Sequence, residues 1–164
     1  MKLYLVRHAT AVDTAPTDAD RELTKEGKEE ARVAGRALAR LKVKPQFVLS
    51  SPLVRAVQTA ELLAGELDFR DDIVKLTELE NGPSTSALLR ALKPYSRADE
   101  LVLVGHMPSL AEHLAELIGV KNTRGLQIGK GSVVCLKTEV LREGAAELRW
   151  WLRQKQLALI AEAD

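Results

Sequence analysis

The sequence is poor in cysteine, in long apolar runs and in charge of one sign, and each lack removes a class of protein. Its single cysteine, Cys135, excludes an internal disulfide and any thiolate cluster around a metal within one chain. That fits a reducing compartment. No stretch approaches the roughly 20 apolar residues a membrane-spanning helix requires. The apolar opening Leu3-Tyr4-Leu5-Val6 runs at once into Arg7 and His8, too early for a signal peptide. A soluble cytoplasmic protein is therefore expected. Net charge is +1, with Lys and Arg scattered and no basic tail or stripe, so no nucleic-acid partner is expected. No repeat, low-complexity stretch or linker divides the 164 residues, which suits one domain over residues 1–164 with a core of its own.

What is present alternates. Short apolar runs at Leu3–Val6, Phe47–Leu49, Leu101–Val104 and Ser132–Leu136 read as strands, with Ile73–Leu76 a weaker one. Segments of helical period lie between them. The first opens at Thr24 as N-cap and recurs at Ala31, Ala34, Leu38 and Leu41. A second opens at Ser51-Pro52, as N-cap and first helical residue, with Val57, Ala60, Ala64 and Leu67 as its buried stripe. A third runs from about Ser84 to Lys93 before Pro94. The fourth follows Pro108, buries Leu110, Leu114, Leu117 and Ile118, and ends at Gly119.

Strands separated by helices predict an α/β fold, a three-layer α/β/α sandwich on a mainly parallel sheet. The tail departs from that rhythm. Ser132–Glu139 and Glu147–Arg153 flank a turn at Gly144 and predict an antiparallel hairpin at one edge, followed by a short helix over Gln154–Ala163.

Three polar segments each follow a predicted strand: Val6-Arg7-His8, Ser50-Ser51-Pro52-Leu53-Val54-Arg55 and Val104-Gly105-His106-Met107-Pro108. In an open parallel sheet, loops at the carboxyl ends of strands converge on one crevice. Pooling them places two arginines and two histidines together. Arginine forks match phosphate oxygens, and Arg55 would add the free N–H groups of a helix first turn. Such a cluster is a pocket for phosphate or another oxyanion. Within it, one neutral imidazole can attack phosphorus if its second nitrogen is held as a donor. His8, directly after its strand, is the expected nucleophile. His106 is expected to be protonated beside the phosphate and, with Arg7 and Arg55, to stabilise the equatorial oxygens.

These segments, LxRH, SPxxRAxQT at Ser51–Thr59 and VGHMP at Val104–Pro108, resemble the histidine phosphatase (phosphoglycerate mutase-like) superfamily in order and spacing. The resemblance implies that His8 is the phosphorylated histidine, that Arg7 and Arg55 bind phosphate, and that His106 is the second pocket histidine. The short length and the segment Asp18–Gly27 are similar to the SixA-type phosphohistidine phosphatases, in which the loop carrying the equivalents of Asp18 and Arg21 flanks the pocket. Ala9 stands where the superfamily usually has glycine. Glu78 sits where many relatives place a catalytic carboxylate, so it is the first choice for the acid that protonates the leaving group, with Asp18 a competitor. Arg21 either reaches the phosphate or joins a solvated charge cluster with Glu22 and Glu26.

The resemblance also bears on substrate. The interval from Glu78 to Leu101 holds barely one helix, where mutases and small-molecule phosphatases insert a roof. An open cleft suits a phosphoryl group on another protein, so the expected partner is a histidine-phosphorylated protein. A small phosphate ester as substrate is the alternative, and a module that only binds phosphoproteins is the third reading. No cofactor is expected, and no metal, because Arg7 and Arg55 would repel a cation. Four residues are expected to be structural. His113 falls within a helical apolar stripe, Cys135 within a core strand, and of Trp150 and Trp151, on opposite faces of one strand, at most one would enter the core.

Overall fold

The computed structural model describes residues 1–163. A six-stranded sheet carries the strands in the order β3-β2-β4-β1-β5-β6. These are β1 (Lys2–Arg7), β2 (Phe47–Ser50), β3 (Val74–Lys75), β4 (Glu100–Gly105), β5 (Val133–Lys137) and β6 (Glu147–Leu152). The first four run parallel; β5 pairs antiparallel with β1 and with β6. The predicted three-layer fold with its edge hairpin is the observed one.

Side chains on a strand alternate between faces, and here each face has its own core. Tyr4 and Val6 of β1 and Val102 and Val104 of β4 pack with α1 (Lys25–Arg40), α2 (Val54–Glu66) and α5 (Gln154–Glu162). Leu3, Leu5, Leu101 and Leu103 pack with α3 (Thr85–Leu92) and α4 (Ser109–Ile118) on the other. Because both faces are covered, the two tryptophans are each half-buried, Trp150 against the first layer and Trp151 against the second. Neither is fully in the core.

Helix α1 begins as its sequence predicts, with the Thr24 hydroxyl accepting the Gly27 N–H at 3.0 Å. It stops at Arg40, so the expected core residue Leu41 is the C-cap and lies exposed. Two glycines on α1 permit close approach. A Cβ on Gly35 would meet Leu63 O and Glu66 Cβ of α2 at 2.7 Å, and one on Gly27 would meet Thr10 O at 1.9 Å.

Helix α2 corrects the sequence reading. It opens at Val54 with Leu53 as N-cap, not at Ser51, whose hydroxyl is engaged elsewhere. Its buried face is Arg55, Ala56, Thr59, Ala60, Leu63 and Ala64; Val57 and Leu67 are half-buried. The stripe is rotated because Arg55 and Thr59 are drawn inward by polar partners. Gly119 ends α4 at a φ of 75°, as its position predicts.

Candidate active site

Since β1, β2, β3 and β4 are parallel, Arg7, Ser50, Lys75 and Gly105 end at one edge of the sheet. Antiparallel β5 starts at that edge, bringing in the preceding loop through Ile128–Ser132. Backbone bonds tie these segments together. His8 N donates to Gly105 O at 3.0 Å, Ser51 N to Val104 O at 2.9 Å, and Gly131 N to both Arg7 O and His8 O at 3.1 and 3.3 Å.

His8 is buried, and its Nδ1 lies 2.7 Å from the carbonyl oxygen of Ala9. A carbonyl only accepts, so Nδ1 carries the proton and Nε2 keeps its lone pair. Burial, with smaller effects of Arg55, Arg7 and Lys130, pushes the imidazole down to about 4, against the bond to Ala9 that favours the charged form. At neutral pH it is an uncharged imidazole with a defined tautomer. Ala9 itself needs no glycine. Among described non-glycine residues only Lys42 and Asp68 have positive φ, and Ala9 is buried with Ala11, Leu23 and Ala31.

His106 lies beside it, the ring centroids 5.0 Å apart. Its Nε2 is 2.8 Å from Ser51 Oγ, while Nδ1 is buried without a protein partner. The expected protonated state is not what these surroundings favour. Burial, then the proximity of His8, Arg55 and Arg7, pushes His106 down to about 3, so the ring is neutral at pH 7 among the protein's own groups.

Arg7 and Arg55 arrive from β1 and the first turn of α2. Arg7 Nη1 donates to Ile128 O at 2.8 Å. Arg55, buried, donates through Nη1 to Asp18 O at 2.7 Å and through Nη2 to Asp18 Oδ2 at 3.0 Å. The Nε of each arginine is buried and unpartnered. Three buried nitrogens without partners, Arg7 Nε, Arg55 Nε and His106 Nδ1, thus belong to residues around His8. Buried polar nitrogens are costly to leave unmet.

Asp18 and Arg21 form a brace on the loop side. Asp18, in a single 3-10 turn, accepts from Arg55 and, through Oδ1, from Arg21 Nη1 at 3.0 Å; Arg21 Nε donates to Val12 O at 2.7 Å. Arg21 first and Arg55 second hold the Asp18 carboxyl below the usual carboxylate range. An ionised carboxylate has no proton to give, and the ion pairs with Arg21 and Arg55 favour that form of Asp18. Glu78 sits half-buried in the turn Thr77–Leu79 after β3, at the same sheet edge, with its one side-chain hydrogen bond from Thr77 Oγ1 at 3.5 Å. It touches neither pocket histidine nor either pocket arginine through a hydrogen bond.

Two contributors had no sequence reading. Thr59, fully buried, accepts the Ala9 N–H at 3.1 Å and donates to Arg55 O at 2.7 Å, locking the residue after the nucleophile to the arginine helix. Lys130 is exposed on the Gly129–Ser132 loop and adds a positive charge at the rim. The signal for it was the antiparallel hairpin, since only an antiparallel β5 puts the loop before it at the catalytic edge. The expected structural residues behave as such. His113 is buried with Nδ1 2.8 Å from Thr85 Oγ1, and the buried Cys135 thiol is pushed up to about 11. Among the described residues no group of three or more His, Cys, Asp or Glu side chains could hold a metal ion, and no helix is long and apolar enough to cross a membrane.

A family model for the histidine phosphatase superfamily (branch 1) matches residues 3–82. Phosphohistidine phosphatase SixA of Escherichia coli is 34% identical over 120 residues, 71% of this chain and 74% of that protein. The chain belongs to the histidine phosphatase superfamily. It is a phosphatase with histidine-based catalysis. An uncharacterised protein of Picosynechococcus is 34% identical to this histidine phosphatase over 154 residues, 91% of the chain and 89% of that relative. Among solved structures, the protein histidine phosphatase SixA complexed with tungstate superposes with a TM-score of 0.87 at 23% identity, over 96% of this chain and 99% of that one.

Proposed function

We propose that this histidine phosphatase removes phosphate from a histidine-phosphorylated protein through a phospho-His8 intermediate, as a single domain of 164 residues. The observation that carries the reading is the pair of buried arginine Nε donors and the His106 nitrogen, all without partners, beside an imidazole whose Nδ1 is pinned and whose Nε2 is free.

In the first step the lone pair of His8 Nε2 attacks phosphorus and the bond from phosphorus to the leaving nitrogen breaks; the substrate ring carries a proton on its other nitrogen, so it leaves with the bonding pair as neutral imidazole. Arg7, Arg55 and His106 donate to the equatorial oxygens, where charge must be stabilised during transfer. In the second step water attacks phosphorus, the bond to Nε2 breaks, and inorganic phosphate leaves with His8 restored. Asp18 and Arg21 hold Arg55 in place.

Two features favour a phosphorus–nitrogen substrate. Asp18 is ionised, and Glu78 is not hydrogen-bonded to the phosphate-binding set. An imidazole leaving group is far less basic than an alkoxide, so it needs less help from an acid. Between Glu78 and β4 the chain forms one eight-residue helix, α3, and short 3-10 turns, too little to roof the cleft against a protein-borne phosphoryl group. Superposition on a structure complexed with tungstate, a tetrahedral oxyanion, supports the anion pocket.

The test is phosphate release by wild type and His8→Ala from a histidine-phosphorylated transfer protein, a phosphoserine peptide and sugar phosphates, with chelator present. Release from the first alone, lost in the variant, is expected. Activity confined to sugar phosphates would overturn the substrate and keep the nucleophile. Tight binding of the phosphoprotein without turnover would make the chain a recognition module.

A further inference from the structure

We infer that Ser51 is a positioning residue whose hydroxyl donates to His106 Nε2 and so leaves the ring proton on Nδ1, the nitrogen available to donate to a phosphoryl group. The inference rests on the pocket being an oxyanion site, as read above.

The hydrogen-bond inventory decides the tautomer. Ser51 Oγ meets two groups, His106 Nε2 at 2.8 Å and the Leu53 N–H at 3.2 Å. The Leu53 amide can only donate, so one lone pair of Oγ is taken. If Nε2 also donated to Oγ, the hydroxyl proton would have no partner, and Nδ1 would present a bare lone pair. That lone pair is buried. Facing phosphate oxygens, it would set acceptor against acceptor. In the other arrangement every group is matched. The Ser51 hydroxyl donates to Nε2, accepts from Leu53, and leaves the single ring proton on Nδ1. The one donor then lacking a protein partner is the one an oxyanion satisfies.

Neighbouring charges fit the assignment. Burial opposes a positive ring on His106, as do the charges of Arg55 and Arg7, while Asp18 favours one. The neutral form dominates at pH 7 among these groups, and a neutral ring needs something to choose between its nitrogens. The backbone carbonyl of Ala9 makes that choice for His8. For His106 the choice falls to a side chain, which mutation can remove. This also accounts for the absence of an N-cap at Ser51. Its hydroxyl is spent on the imidazole and on Leu53 N, and α2 starts later with no side-chain cap.

The experiment uses the full chain labelled with 15N-histidine and long-range 1H–15N correlation at pH 7, with and without orthophosphate. His8→Gln and His113→Gln variants assign the His106 signals by difference. Wild type without orthophosphate is expected to show His106 protonated at Nδ1 and bare at Nε2. Ser51→Ala is expected to shift His106 toward a mixture or toward Nε2–H. It should lower kcat on p-nitrophenyl phosphate by roughly 10- to 100-fold, the range seen when the partner orienting a metal-bound histidine is removed. Ser51→Thr, which restores a hydroxyl, is expected to recover the tautomer and most of the rate. A wild-type His106 protonated at Nε2 overturns the inference, whether or not any variant folds. So does a Ser51→Ala protein whose His106 keeps the wild-type tautomer. Neither readout depends on the natural substrate. Failure with a histidine-phosphorylated protein would therefore strike the substrate assignment alone.

Discussion

Adding one methyl group at Gly27 should cost this protein more than any other glycine-to-alanine change in a helix. Gly27 lies in the first turn of α1, where its N–H meets Thr24 Oγ1, and a Cβ there would stand 1.9 Å from the carbonyl oxygen of Thr10. Ordinary contact needs at least about 3.2 Å, so the helix end or the chain after the nucleophile must move by more than 1 Å. Neither is free. Thr10 O accepts from Thr24 N at 3.0 Å, and Thr10 N and Oγ1 donate to Glu30 of the same helix at 2.7 and 3.1 Å. Separating them breaks these bonds, each worth roughly 1 kcal/mol, on top of an overpacking cost of roughly 1–3 kcal/mol. Alanine's helix advantage returns only about 1 kcal/mol. The expected net loss is about 3–5 kcal/mol, or a fall in Tm of roughly 6–20 °C for a chain this size. Activity should fall as well, because Thr10 is two residues from His8. Gly65→Ala is the control. Its Cβ would meet nothing within 4 Å, so the same change should stabilise by about 0.5–1 kcal/mol. Urea denaturation and thermal melts of both variants decide it. A Gly27→Ala protein as stable as Gly65→Ala would refute the close-approach argument.

Three more outcomes follow from the site. His8 should titrate near 4, leaving it roughly nine-tenths neutral at pH 5, where an ordinary imidazole would be only a few per cent neutral. Because the folded value lies below the unfolded one, its contribution to stability is complete above about pH 6.5 and is lost as pH falls toward 4, by roughly 1.4 kcal/mol per pH unit. A histidine titration by NMR checks this, and a His8 midpoint near 6.5 would contradict it. Asp18→Asn should slow phenyl phosphate and p-nitrophenyl phosphate alike, by roughly tenfold, since Asp18 anchors Arg55 instead of protonating the leaving group; a loss confined to phenyl phosphate would restore it as the acid. Lys130→Ala should weaken competitive inhibition by inorganic phosphate several-fold and reduce its salt dependence, with Lys130→Arg close to wild type. An unchanged inhibition constant would place Lys130 outside the site's field.

The architecture was legible because periodicity and strand-end placement are local signals. Short unbroken apolar runs in β1 and β4, a threonine cap on α1 and Gly119 after α4 each report one element from its own residues. Arg7, His8, Arg55 and His106 could be pooled at one edge because parallel strands leave no other place for loops that follow them. Ser51 misled for the same reason. Ser-Pro before an apolar stripe is a good local cap signal, and only a histidine 55 residues away competes for the hydroxyl.

By itself, then, the order of residues determined the layered α/β fold and the convergence of two arginines and two histidines, and it pointed to His8 as the nucleophile we propose. Protonation state, donor inventory and the brace around Arg55 were decided only in three dimensions. They depend on burial and on partners distant in sequence: Asp18 with Arg55, Thr59 with Ala9, and the loop before β5 with His8. A residue's type says which hydrogen bonds and charges it can have. Which of them it keeps depends on the water excluded and the neighbours supplied when the chain closes on itself.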